Sequence, residues 1–81
     1  IVDLAIDEVN LTSLNSFHGV KIKDSTIREE FNLIIVGLVN GDGSYEINPD
    51  PELQLSKDHT VMVMGQKSQL ERFKDKFPSH S

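Results

Sequence analysis

Leu33-Ile34-Ile35-Val36-Gly37-Leu38-Val39, followed directly by Asn40-Gly41-Asp42-Gly43, is the stretch on which the fold turns. Apart from Gly37 the first seven residues are all aliphatic, and four of them are β-branched. A run that is apolar on both parities reads as a strand covered on both faces. The four residues after it tolerate positive φ, as a tight hairpin requires. Ser44 to Ile47 is then a short antiparallel return strand. Asn48-Pro49-Asp50-Pro51 ends it, because proline lacks a backbone donor and restricts the residue before it.

Upstream, Ile22, Ile27 and Phe31, with Val20, line one side of a helical pattern. Thr26-Ile27-Arg28-Glu29 fits a capping box. The segment Ile22–Phe31 is therefore expected to hold one or two helical turns with a break. Asn10 to Gly19, rich in Asn, Ser and Thr, reads as a loop. Before it, Val2, Leu4 and Ile6 alternate with Asp3, Ala5 and Asp7, the pattern of a half-buried strand. Val9 and Leu11 continue on the opposite parity, which predicts a bulge near Asp7–Glu8.

Downstream, Leu53 and Leu55 are placed to plug the core from a loop, and Ser56-Lys57-Asp58 is a turn. Thr60–Met64 is the last strand, closed by Gly65. Ser68-Gln69-Leu70-Glu71 forms a second capping-box pattern. Leu70, Phe73 and Phe77 follow at helical spacing, with charged residues between them. The order strand, short helix, three strands, helix predicts an α+β domain. Its small, mostly antiparallel sheet of about four strands carries one short helix and one C-terminal amphipathic helix. The domain is expected over residues 1–77, with a disordered polar tail at 78–81.

At 81 residues the chain has room for a single core. Domains of this size bury only about 60% of the surface their unfolded chains expose, so support from a second copy or a flanking domain is expected. The sequence begins at Ile1, directly in strand-like residues, and reads as a fragment of a longer protein. Eight basic residues stand against 13 acidic ones, for a net charge of −5. No basic stripe interleaves with aromatics, which argues against a nucleic-acid binder. No apolar run approaches the ~20 residues of a membrane helix, so direct membrane insertion is not expected. The absence of cysteine removes disulfides, thiol catalysis and Cys-type zinc sites.

The residues that could carry chemistry are few. His18, His59 and His80 share no nucleophile spacing, and an enzyme is not expected. Asp3, Asp7 and Glu8 are a candidate calcium cluster, but a strand edge guarded by charge is the favoured reading. Asn40–Ser44 lacks the leading acid and closing Glu of a calcium loop and fits a hairpin turn better. Gly41 and Gly43 lead into a strand, whereas a phosphate cradle needs a helix N-terminus there. Met62 and Met64 are expected to fill the core or a dimer contact, with cofactor contact a lesser alternative. Arg28 has two readings: a solvated partner of Glu29 or a nearby acid, or a guanidinium presented at a subunit seam to grip an anion.

One resemblance spans nearly the whole chain. The residues Gly19–Ile22, Ile27–Leu38, Asn48–Pro51, Leu55–Asp58, Val61–Gly65 and Leu70, in that order and spacing, resemble the RCK C-terminal (TrkA-C) domain. The resemblance implies a regulatory lobe that follows an N-terminal RCK lobe on the cytoplasmic side of a potassium channel or potassium transport protein. It implies a homodimer, with cyclic di-AMP or a divalent cation such as calcium as effector. Carried over by position, Ile27, Arg28, Ile35 and Pro49 would lie near the ligand groove. The sequence departs from the family pattern at Lys57-Asp58, where Gly-Asp is usual. It also lacks a basic residue after the central strand and has Ile34 at a position able to offer a polar contact. Two other readings stay open at this level: an assembly module with no ligand of its own, and a metabolite-binding domain of the ACT-like kind.

Overall fold

A computed structural model describes residues 3–78. In chain order it contains β1 (Leu4–Asn10), 3-10 turns at Asn15–Phe17 and Ile22–Asp24, and α1 (Ile27–Phe31). β2 (Ile34–Val39), β3 (Tyr45–Ile47), β4 (Thr60–Gln66) and α2 (Lys67–Lys76) follow. The strands form one sheet in the order β1-β4-β2-β3, and every neighbouring pair is antiparallel. The α+β reading therefore holds, as do the hairpin and the interrupted helical segment. Val2 and the tail residues 79–81 lie outside the described residues.

The hairpin closes on a five-residue loop. Asn40 N–H donates to the Ser44 carbonyl at 2.7 Å, and Gly43 N–H donates to the Asn40 carbonyl at 3.0 Å. The Asp42 carboxylate accepts from the Ser44 N–H and hydroxyl at 2.9 and 2.6 Å. Of the four residues expected to allow positive φ, Gly43 is the one that uses it, at +90°.

The two faces of the sheet differ sharply. On the inner face, Val9, Leu38, Val61 and Val63 are buried beneath Ile27, Phe31, Leu70 and Phe73 of the helices. All four phenylalanines meet there, with ring centroids 4.8–6.1 Å apart. Leu55 is buried and Leu53 packs beside it, as the sequence predicts. The segment read as a loop supplies two more core residues, Leu14 and Phe17, beside Leu11 at the end of the first strand's pattern. Gly65 permits the tightest of these contacts. A Cβ there would stand 2.4 Å from Leu33 Cδ2 and 3.3 Å from the Asn32 carbonyl.

The outer face holds every large hydrophobic residue that the described structure leaves exposed: Leu4, Ile6, Ile34, Tyr45 and Ile47. The register aligns Ile6, Met64 and Ile34 in one row and Met62, Gly37 and Ile47 in the next. This arrangement corrects several expectations. The β1–β4 ladder runs without a bulge from Leu4 to Asn10. The parity switch instead reflects apolar residues on both faces, with Leu4 and Ile6 outside and Val9 inside. The irregularity lies on β2, between Ile35 and Gly37. Within one protomer β2 is covered on one face only. Met62 and Met64 are half-buried on the outer face, while the core positions of β4 belong to Val61 and Val63.

Neither capping box forms. β4 runs on through Gln66 into α2, so Ser68 falls inside the helix and Gln66 takes the cap position without a side-chain bond. Lys67 N–H instead donates to the Asp3 carbonyl at 3.3 Å. Thr26 does precede α1, but its hydroxyl donates to the Ser25 carbonyl at 2.6 Å rather than capping the helix.

Candidate functional site

A concavity of about 250 Å³ lies between the first turn of α1, the start of β2 and the loop that follows β3. Ile27, Arg28, Ile35 and Pro49, the four residues singled out from the sequence, all line it. They come from three elements and are brought together by backbone turns of unusual hand. Thr26, Asn32 and Asn48 have φ of 61°, 55° and 51°. Asparagine tolerates the left-handed region, whereas a β-branched threonine there is strained by about 1–2 kcal/mol. Thr26 is held by its hydroxyl bond to Ser25 and by Glu30 N–H, which donates to its carbonyl at 2.8 Å. The turn at Thr26 aims Ile27 into the core and leaves Arg28 exposed at the concavity.

The Arg28 guanidinium makes no ion pair among the described residues; the expected pairing with Glu29 does not form. The second cation of the lining is Lys23, whose Nζ lies 2.9 Å from Glu52 Oε1. Lys21 Nζ approaches the other carboxylate oxygen of Glu52 at 3.1 Å. The hydrogen bond to Glu52 raises the Lys23 ammonium above its ordinary pKa. The bonds from Lys23 and then Lys21 lower the Glu52 carboxyl below its own. The surrounding walls are apolar, from Ile22, Ile34, Pro49 and Pro51. Glu29, Ser25 and Asn48 add polar groups, one of them acidic. A cleft with apolar walls and two cations against one carboxylate suits an anionic ligand that also carries a flat, poorly hydrated part.

Lys23, Ser25, Asn48 and Pro51 also line the cleft but were not singled out from the sequence. Lys23 pairs with an acid 29 residues away, and no local pattern announces so distant a partner. Pro51 carried a visible signal, but only as a strand breaker.

The remaining candidate groups are engaged elsewhere. Asp7 pairs with Lys74 of α2, while Glu8 faces the opposite side of the sheet. No group of three potential metal ligands occurs among the described residues. The His18 ring contacts the Leu11 carbonyl, and His59 Nδ1 accepts from Ser56 N–H at 3.0 Å. His80 lies outside the described residues.

This architecture recurs in solved structures. The chain is similar to the GsuK channel bound to NAD, with 22% identity and a TM-score of 0.80 over 93% of this chain and 13% of that one. It is similar to the RCK C domain of the potassium transport protein KtrA in complex with cyclic diadenosine monophosphate. That match has 24% identity and a TM-score of 0.79, over 91% and 84% of the two chains. It is also similar to the RCK_C domain dimer of S. agalactiae BusR in complex with c-di-AMP, with 18% identity and a TM-score of 0.76, over 90% and 95%. At these identities the likeness establishes the fold. The chain spans only about an eighth of the GsuK channel chain it matches. No curated protein matches it by sequence. The sequence pattern of the TrkA-C domain matches residues 6–77, nearly the whole length, and the chain belongs to the TrkA-C domain family.

Proposed function

We propose that this domain is the ligand-sensing C-lobe of a potassium channel or potassium transport protein, acting on the cytoplasmic side as a homodimer. Its effector is an anionic cyclic dinucleotide of the cyclic di-AMP type. One observation carries the reading: Ile27, Arg28, Ile35 and Pro49 converge with Lys23 on a single cleft. The cationic lining favours an anion over calcium. At about 250 Å³ the cleft is also smaller than the roughly 300–1,000 Å³ of an ordinary ligand pocket. Ile34 belongs both to this cleft and to the apolar outer face of the sheet. A second copy laid on that face therefore completes the walls.

Exposed apolar faces of this kind mark interaction surfaces, and the BusR relative is an RCK_C domain dimer. No helix among the described residues is long and apolar enough to cross a membrane, so an effect on transport passes through an N-terminal RCK lobe. The role is regulatory rather than catalytic. The ligand shifts the dimer between two geometries only as far as it binds one better than the other. A difference of about 1–3 kcal/mol gives a useful response.

Calorimetric titration of cyclic di-AMP into the dimer tests this. We expect saturation at one ligand per two chains, because a twofold ligand on a twofold axis serves both. Arg28→Ala should lower the affinity at least about tenfold, by loss of a charge-assisted bond, with the sedimentation profile unchanged. An intact dimer that takes up nothing at millimolar ligand would favour the second reading, an assembly module, which the apolar outer face also supports.

A further inference from the structure

We infer that Glu52 is a built-in anion that competes with the ligand for Lys23 and so sets the affinity and charge selectivity of the cleft; this rests on the anion-binding reading above. Three observations carry it. First, the partners are held by backbone. Ile22 N–H donates to the Leu53 carbonyl and Lys23 N–H to the Pro51 carbonyl, both at 3.0 Å, and Lys21 bridges to Gln54. Glu52 N–H is in turn fixed by the Asp50 carboxylate at 2.9 Å. The carboxylate thus stands between the two lysines by construction.

Second, the three side chains are free to rearrange. Lys21, Lys23 and Glu52 are 41%, 48% and 56% exposed, so Lys23 can exchange partners without any change in the main chain. Third, the local charges cancel. Lys21, Lys23 and Arg28 oppose Asp24, Glu29 and Glu52, leaving no surplus positive charge at the cleft of a protein whose net charge is −5. An anion must displace Glu52 to gain Lys23. A ligand with two phosphates, one for Arg28 and one for Lys23, can do so; a singly charged anion meets mainly Arg28.

The experiment compares the wild-type dimer with Glu52→Gln, Lys23→Ala and the double variant. Each is titrated with inorganic pyrophosphate and with cyclic di-AMP, by calorimetry and by amide chemical shifts around Ser25 and Arg28. Glu52→Gln should bind both probes about three- to tenfold more tightly, the scale of one or two exposed ion pairs. Its affinity should fall more steeply with salt. In the Lys23→Ala background the Glu52→Gln gain should vanish. Cyclic di-AMP bound equally by wild type and Glu52→Gln overturns the competition while leaving the sensing role intact. A pyrophosphate gain without dinucleotide binding by any form supports the competition and removes the dinucleotide. Failure of both probes on every variant overturns both. A Glu52→Gln gain that survives in Lys23→Ala also overturns the inference, since the carboxylate would then act by general repulsion.

Discussion

The inner and outer faces of this four-stranded sheet are both apolar, yet they have different tasks. Inside, Leu38, Val61 and Val63 have no exposed surface and meet the phenylalanine cluster. Outside, Ile6 and Ile34 flank Met64 in register and remain about half exposed. Glu8 is the one charged strand residue that shares their parity. A monomer that needed only to stay soluble would place charge on that side. The difference teaches that the inner face pays for folding, whereas the outer face is left open as an interaction surface, the one assigned to a second copy in the proposed function.

The strongest test of that division is Phe73→Ala on the inner face. Phe73 is 1% exposed and touches the other three phenylalanine rings. Its truncation should cost about 3–5 kcal/mol in denaturant unfolding, enough to unfold much of a small domain. Retention of the wild-type midpoint would place the core elsewhere.

On the outer face the expected response is the reverse. Met64→Asp sets a carboxylate in the middle of the apolar row, and Ile6→Asp sets one on a side chain already 57% exposed. Each should weaken dimerisation at least about 100-fold in sedimentation equilibrium, because a carboxylate buried at an interface lacks a partner. The unfolding midpoint of the diluted protomer should move by about 1 kcal/mol or less. A dimer that withstands both substitutions places the contact on another surface.

Gly65→Ala probes where the inner face has no slack. The new methyl would meet Leu33 Cδ2 at 2.4 Å, and Leu33 is itself fully buried. Displacing that side chain should cost about 1–3 kcal/mol. Leu33→Ala in the same chain should return part of the loss, since it removes the clashing group while leaving a cavity of its own. Strictly additive losses would show that the clash is relieved elsewhere.

Legibility in the sequence followed the same division. β2 and α2 were visible because their patterns are local: a β-branched run before a glycine turn, and Leu70, Phe73 and Phe77 at helical spacing. The four named cleft residues were legible through the family pattern around Ile27-Arg28 and Asn48-Pro49. What could not be read depends on pairing across distance. Nothing near Leu4 or Ile6 says that they face outward; that follows only from the β1 register against β4. Leu14 and Phe17 sit among residues typical of loops and enter the core because a 3-10 turn folds them back. Thr26 looked like a helix cap because its type is right for one, while its left-handed backbone has no signature in a β-branched residue.

Asp7→Asn is expected to have the smallest effect, and it marks the boundary between the faces. Asp7 lies on the inner parity of β1, at the rim of the core, where Lys74 of α2 reaches it. The hydrogen bond from Lys74 is the main reason its carboxyl titrates below the ordinary value, against a smaller opposing effect of desolvation. A carboxyl depressed in the folded state stabilises the fold above its unfolded pKa of about 3.9. That contribution is lost as pH falls through the lower folded value. The wild-type protein should therefore lose this increment only below about pH 4. Asp7 is about one-third exposed and Lys74 more than half, so screening limits the increment to about 0–1 kcal/mol. Asp7→Asn should be destabilised by no more than that at pH 7 and match the wild type at low pH. Raised salt should narrow the gap at neutral pH. A larger or salt-insensitive loss would mean that Asp7 supports the core by packing, and that the inner face extends to the strand edge.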